Sequence, residues 1–227
     1  MKNKISKAKK HIFLRDIFRQ WYLEGINKDL NSIEKVKDFL ESETRGTRII
    51  TIGVSSGGFA AVLFGTLLNA ECIFTFSGQF SLKEILEESN RFYNQIVFKY
   101  GQNDSVNKYI DLTDLIKSSN TPIFYFISKS EVDKFQLKIA YELGTVYIFL
   151  FSNDFHGVPF NLFDLKNVIN KTKIELLQLY EIYKGHEINA FYYSIKVSGI
   201  TETSINILKI GAPLKLLVAF LCRIGVL

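Results

Sequence analysis

Nucleophilic acyl chemistry needs a serine on a sharp turn, a histidine to take its proton and a carboxylate to orient the histidine. This chain offers candidates for each. The segment Gly53-Val54-Ser55-Ser56-Gly57 reads G-x-S-x-G, the pattern of a turn that presents a serine hydroxyl between a strand and a helix. The β-branched run Arg48 to Ile52 precedes it, and a small-residue helical pattern from Gly57 to Asn69 follows at once. Small residues at such a junction have two readings. One is close packing of strand on helix. The other is a nucleophile at the carboxyl end of a strand, where open α/β sheets hold their ligands. The strand-turn-helix context, more than the five-residue pattern, favours Ser55 as nucleophile. It also places the Ser56 backbone N–H at a helix N-terminus, where it can stabilise an oxyanion.

The chain has three histidines. His11 precedes Ser55 and opens an apolar run, which puts it at the wrong end of a parallel sheet. His186 lies beyond the last clear strand. His156, in Phe151-Ser152-Asn153-Asp154-Phe155-His156-Gly157, follows an apolar strand and opens a loop at its carboxyl end. Gly157 lets that loop bend, and Pro159 can start the next helix. His156 is the expected base; the bland alternative is a loop histidine with no role.

The acid should follow the preceding strand, where Ser130-Glu131-Val132-Asp133 offers Glu131 and Asp133. Asp133 is preferred, although Ser130 and Asp133 also have the spacing of a capping box, so Asp133 could simply cap a helix. Asp154 is a weaker third candidate because it sits so close to His156. The second oxyanion donor usually comes from the turn after an earlier strand. Here that turn is Leu14-Arg15-Asp16-Ile17-Phe18-Arg19-Gln20-Trp21-Tyr22. No His-Gly dipeptide is present, and the main chain or guanidinium of Arg15 could fill the role. Trp21 and Tyr22 are expected in the wall of a substrate pocket, with core packing as the alternative.

The elements that must position these residues can be read from apolar runs. Strands are expected at His11–Leu14, Arg48–Ser55, Cys72–Gly78, Pro122–Ser128 and Thr145–Ser152. They are apolar throughout rather than alternating, so both faces are buried, and helical patterns lie between them. The expected fold is therefore α/β and doubly wound, a mainly parallel sheet of about five or more strands. Residues 1–180 form this domain. Residues 79–121 hold two extra helical patterns and are expected to act as a lid over the strand ends, or as an ordinary crossover. Residues 181–227 form an extension whose architecture the sequence does not reveal.

Bulk properties narrow the function. The chain has 227 residues, of which 47% are hydrophobic, enough for a large core. The net charge of +5 comes from Lys2, Lys4, Lys7, Lys9 and Lys10; without them 23 basic residues face 23 acidic ones. A nucleic-acid binder needs a basic face on the fold, so nucleic acid is not an expected partner. The two cysteines, Cys72 and Cys222, make no disulfide framework, and Cys72 reads as a small buried hydrophobe. No zinc spacing is present, so neither a metal nor another cofactor is expected. Arg15 and Asp16 interrupt the segment a signal peptide would need, and no uncharged run reaches the ~18 residues of a membrane span. A cytoplasmic location is expected.

Several segments together resemble a known family. They are "FLRDIFRQWYLEGI", "TIGVSSGGFAAVLFGTLLNAECIFTFSGQFSL", "YIDLTDLI", "SEVDKFQLKIAYEL" and "FHGVPF". The chain from about His11 to Lys171 is similar to small α/β-hydrolase-like proteins associated with bacterial surface-polysaccharide biosynthesis, and to accessory secretion proteins with a Ser-Asp-His triad. The resemblance implies Ser55 as nucleophile, Asp133 as acid, His156 as base and Arg15 near the oxyanion site. The chain departs from larger relatives in lacking their early strands and the His-Gly oxyanion dipeptide. The expected activity is a serine esterase acting on a small-molecule or carbohydrate ester. The same parts make an acyltransferase if a sugar hydroxyl replaces water. A third reading is a non-catalytic hydrolase-fold partner in surface-glycan assembly. The tail "LKLLVAFLCRIGVL" would then give a peripheral membrane or protein contact, although core or dimer burial is the simpler reading of it.

Overall fold

Four apolar runs pair side by side as parallel strands in a computed structural model. The structure describes residues 8–84, 107–156 and 165–200. The strands are β1 (Ile50–Val54), β2 (Cys72–Phe76), β3 (Ile123–Ser128) and β4 (Val146–Phe151), in the order β1-β2-β3-β4. The register sets Gly53 beside Thr75, Thr75 beside Tyr125 and Tyr125 beside Ile148.

A parallel sheet in sequential order with right-handed crossovers sends each connecting helix to the same face. That face carries Ile73, Tyr125, Ile127 and Ile148. They pack in one core with residues of α1 (Ile33–Thr44), α2 (Ser56–Leu67), α3 (Thr113–Lys117) and α4 (Lys134–Leu143). Helix α1 buries Ile33, Val36 and Leu40 on one stripe, and Ser32 caps it by accepting from the Lys35 N–H. Helix α2 is buried from Gly58 to Thr66 with no polar face, as a helix on the middle of a sheet must be.

The opposite face is aromatic. Phe76, Phe126 and Phe149 stack across three strands with centroids 4.8 and 4.6 Å apart, and Phe74, Phe124 and Tyr147 form a second row. Helices α5 (Leu165–Ile169), α6 (Lys173–Tyr183) and α7 (Ala190–Ser198) cover it through Leu165, Val168, Leu176, Leu179 and Tyr193. Thr172 and Glu175 form a capping box at the start of α6. Ile188 then bridges to Phe151 at the edge of β4. Cys72 lies in this second core, where burial pushes its thiol up to about 12.

The fold class is α/β with a parallel sheet and helices on both faces, as the strand pattern requires. The strand count is lower than expected, four among the described residues. His11–Leu14 is not a strand. Ile12 and Leu14 pack onto the first core while Phe13 stays 60% exposed, and no ladder forms. A short apolar run alone does not supply a pairing partner. No helix among the described residues is long and apolar enough to cross a membrane.

The expected lid insert lies mostly outside the described residues, as do Gly157, Pro159 and the tail from 201 onward. Its two feet are described and are tied together. The Leu82 N–H donates to the Ile110 carbonyl and the Leu112 N–H to the Phe80 carbonyl, at 2.7 and 2.8 Å. Gln136 of α4, itself buried, clamps the first foot. Its Oε1 accepts from the Phe80 and Ser81 N–H groups, and its Nε2 donates to the Ser81 carbonyl. Gln136→Ala strands those buried groups and is expected to lower stability by about 2–3 kcal/mol, measured by urea denaturation against wild type.

Candidate active site

The turn after β1 is built around a backbone conformation that a serine rarely adopts. Ser55 has φ 51° and ψ −122°, a strained region for a side chain with a Cβ. Its N–H donates to the Phe76 carbonyl of β2 at 2.9 Å, and its carbonyl accepts from the Phe59 N–H at 3.0 Å. The turn is thus held from both sides. A Cβ on Gly53 would stand 1.8 Å from the Gly57 carbonyl oxygen, so only glycine fits at 53. A Cβ on Gly57 would meet nothing within 4 Å among the described residues. The close approach is made by Gly58 instead, whose Cβ would fall 2.7 Å from the Gly78 Cα. Helix α2 starts at Ser56, and the N–H groups of a first turn have no intrahelical acceptor.

The described structure brings Ser55, His156 and Asp133 together. His156 Nε2 lies 3.0 Å from Ser55 Oγ, and His156 Nδ1 lies 2.8 Å from Asp133 Oδ1. The Asp133 side chain is 2% exposed and that of His156 34%. The helix-capping reading of Asp133 does not hold, since its side chain makes no capping bond to α4. Its Oδ2 instead accepts from Ser130 Oγ at 2.7 Å and lies 3.2 Å from Ser128 Oγ. Glu131 turns outward and pairs with Lys134 at 2.6 Å. Asp154 is exposed. The hydrogen bond to Asp133 raises the His156 pKa above its ordinary value; partial burial opposes this, and the carboxylate's charge adds to the rise. An imidazole held this way can accept a hydroxyl proton at Nε2 while its Nδ1–H donates to the carboxylate.

The loop expected to hold the second oxyanion donor is ordered by Asp16, which sequence reading missed. Its carboxylate accepts from the N–H groups of Phe18, Gln20 and Tyr22 at 3.0, 2.5 and 3.2 Å. Arg19, Trp21 and Tyr22 all have positive φ, from 53° to 62°, so the carboxylate offsets a strained backbone. The Trp21 Nε1–H donates to Gln79 Oε1 at 3.1 Å, which ties this loop to the one after β2, beside Gly58. Tyr22 lies in the first core, and its hydroxyl donates to the Leu14 carbonyl at 3.4 Å. Arg15 is exposed and makes no hydrogen bond or ion pair among the described residues. Beneath the loop after β2, the Tyr125 hydroxyl donates to the Gly78 carbonyl at 3.0 Å; burial, then the Asp133 charge, hold this phenol well above its usual pKa. No cluster of three or more His, Cys, Asp or Glu placed to hold a metal ion occurs among the described residues.

No family model matches the sequence, and no curated protein does. Among solved structures, the chain is similar to the capsule O-acetyltransferase of Neisseria meningitidis serogroup A, at 18% identity and a TM-score of 0.43 over 72% of this chain and 65% of that one. It is also similar to the acylaminoacyl peptidase of Pyrococcus horikoshii, at 15% identity and a TM-score of 0.39 over 80% of this chain and 30% of that one. The chain thus spans under two thirds of the length of either. At these identities and scores neither likeness says what this chain acts on.

Two outcomes follow from this geometry. Gly53→Ala is expected to cost about 3 kcal/mol or more and Gly57→Ala about 1 kcal/mol or less, compared by urea denaturation. Followed by ring-proton NMR, His156 is expected to titrate above the usual ~6.5, and below the wild-type value in Asp133→Asn. A wild-type titration at or under the usual value would contradict the Asp133 contact.

Proposed function

We propose that this protein is a serine-dependent acyl-transfer enzyme, acting as an esterase on an acyl ester of a carbohydrate or other small molecule. The observation that carries this reading is the continuous chain from Ser55 Oγ through His156 to Asp133, with contacts of 3.0 and 2.8 Å. Three residues from three separate loops meet in the order that acyl transfer requires.

In the proposed reaction, Ser55 Oγ attacks the ester carbonyl carbon while His156 Nε2 takes its proton. Asp133 keeps the Nδ1–H tautomer and stabilises the imidazolium. The oxyanion that forms is held by the Ser56 N–H, with a second donor from the Asp16–Tyr22 loop near Arg15. Collapse of the tetrahedral intermediate expels the alcohol, which leaves with the proton from His156, and an acyl-Ser55 remains. His156 then draws a proton from water as it attacks, and the acid and Ser55 are released. The steps need no cofactor. A sugar hydroxyl in place of water gives an O-acyltransferase with the same parts. That alternative is supported by the resemblance of the sequence to surface-polysaccharide proteins. The non-catalytic reading has no support from the site, since a binding scaffold has no need of an aligned imidazole.

A fluorophosphonate probe tests the reading. Ser55 is expected to be labelled in the wild type, with labelling abolished in Ser55→Ala and reduced by at least about 100-fold in His156→Ala. A folded wild type that is not labelled would remove the enzyme reading. Product analysis of an acylated sugar, with and without an acceptor sugar, separates hydrolysis from transfer.

A further inference from the structure

Strands β1 and β4 lie at opposite ends of the four-stranded row. Three strand spacings separate them, about 14–15 Å. The nucleophile follows β1 and the histidine follows β4, so the segment after Phe151 must run back over the end of β3 to bring His156 to Ser55. Something has to hold it on that path.

Ser128 is the last residue of β3, whose six residues are all buried. Each of its side-chain contacts is to one of the two loops concerned. Its Oγ lies 2.8 Å from the Phe155 carbonyl oxygen and 3.2 Å from Asp133 Oδ2, and it accepts from the Ser130 N–H at 3.4 Å. A hydroxyl has one proton to give. The shorter contact assigns that proton to the Phe155 carbonyl, one residue before His156. Asp133 Oδ2 has its own donor in Ser130 Oγ at 2.7 Å, so it does not need the Ser128 proton. One step along, the Lys129 N–H donates to the Asn153 carbonyl at 2.9 Å. The acid loop and the histidine loop are therefore joined at two points above the ladder.

We propose that Ser128 is a positioning residue that sets the separation of Asp133 and His156 by fastening the histidine loop to the end of β3. The proposal rests on the reading of Ser55, His156 and Asp133 given above. Ser128 touches no reacting atom. It acts through the Phe155 carbonyl on the imidazole that follows, and through the Ser130 N–H on the turn that carries the acid.

The test uses the full chain and the rate of fluorophosphonate capture by Ser55 as a function of pH. Capture needs neutral His156, so its rate rises with pH through the His156 pKa. Asp133 is the charged group acting on His156 among the described residues, and loosening their contact lowers that pKa. In Ser128→Ala, capture is expected to slow by at least about tenfold, and its pH midpoint to move down toward that of an ordinary histidine. Ser128→Thr keeps the hydroxyl and is expected within about threefold of wild type, with the wild-type midpoint. Should the alanine variant melt below the assay temperature, Ser128→Cys, a weaker donor of similar size, takes its place with the same expected slowing and shift. Wild-type rate and midpoint in the alanine or cysteine variant would overturn the proposal, as would a threonine variant as slow as alanine. If the wild type itself is not captured, the catalytic reading fails separately. The His156 ring-proton titration then decides, and an unchanged pKa in Ser128→Ala overturns the proposal.

Discussion

A serine with φ 51° and ψ −122° is the constraint around which this molecule is arranged. Such a conformation costs about 1–3 kcal/mol and persists only where its surroundings leave no alternative. Here the surroundings are a knot of small residues. Gly53 in β1, Gly58 in α2 and Gly78 after β2 allow strand, helix and loop to converge at separations no larger residue permits. Main-chain bonds from Ser55 to Phe76 and from Phe59 to Ser55 then lock the turn. A buried helix above and a fully buried neighbouring strand below make relaxation expensive. The hydroxyl is presented at the strand end because the backbone has nowhere else to go.

Much of this was legible in the sequence, and the reasons differ from residue to residue. The nucleophile turn announces itself because steric need restricts residue type over consecutive positions. Strands β2, β3 and β4 were legible because burial on a sheet leaves a continuous hydrophobic signal, and β1 showed through its β-branched residues although Ile50 at the sheet edge is exposed. His156 and Asp133 could be chosen from the topology of a parallel sheet, which puts the loops after successive strands on one rim. Their mutual contact could not be read, since it depends on how a loop crosses the strand ends. Asp16 was missed because its partners are backbone N–H groups, which leave no trace in residue type. Ser128 read as an ordinary serine and Ser130 only as a capping partner of Asp133, because a hydroxyl among many becomes meaningful only when its partners are known. His11–Leu14 misled because a short apolar run can pack onto a core without a neighbouring strand.

The loops differ in how they are held. The acid loop is fixed by side-chain hydroxyls and a short 3-10 turn from Glu131 to Asp133. The Asp16–Tyr22 loop is fixed by one carboxylate gathering three N–H groups. The feet of the insert are fixed by a buried amide from α4. Each device satisfies main-chain groups that a loop at a sheet edge would otherwise leave without partners, and each adds stiffness where the site needs a fixed geometry.

The aromatic face of the sheet has a bearing on how the chain can be handled. Every residue assigned to the site precedes position 157, so a shortened protein ending there would carry all the candidate chemistry. It would also lay bare the rows of phenylalanine rings that α5, α6 and α7 cover. An uncovered apolar sheet face of that extent drives self-association. Helices α5, α6 and α7 thus cover the face that the described crossover helices leave open, and a version of this domain that stopped at 157 would expose that face to self-association.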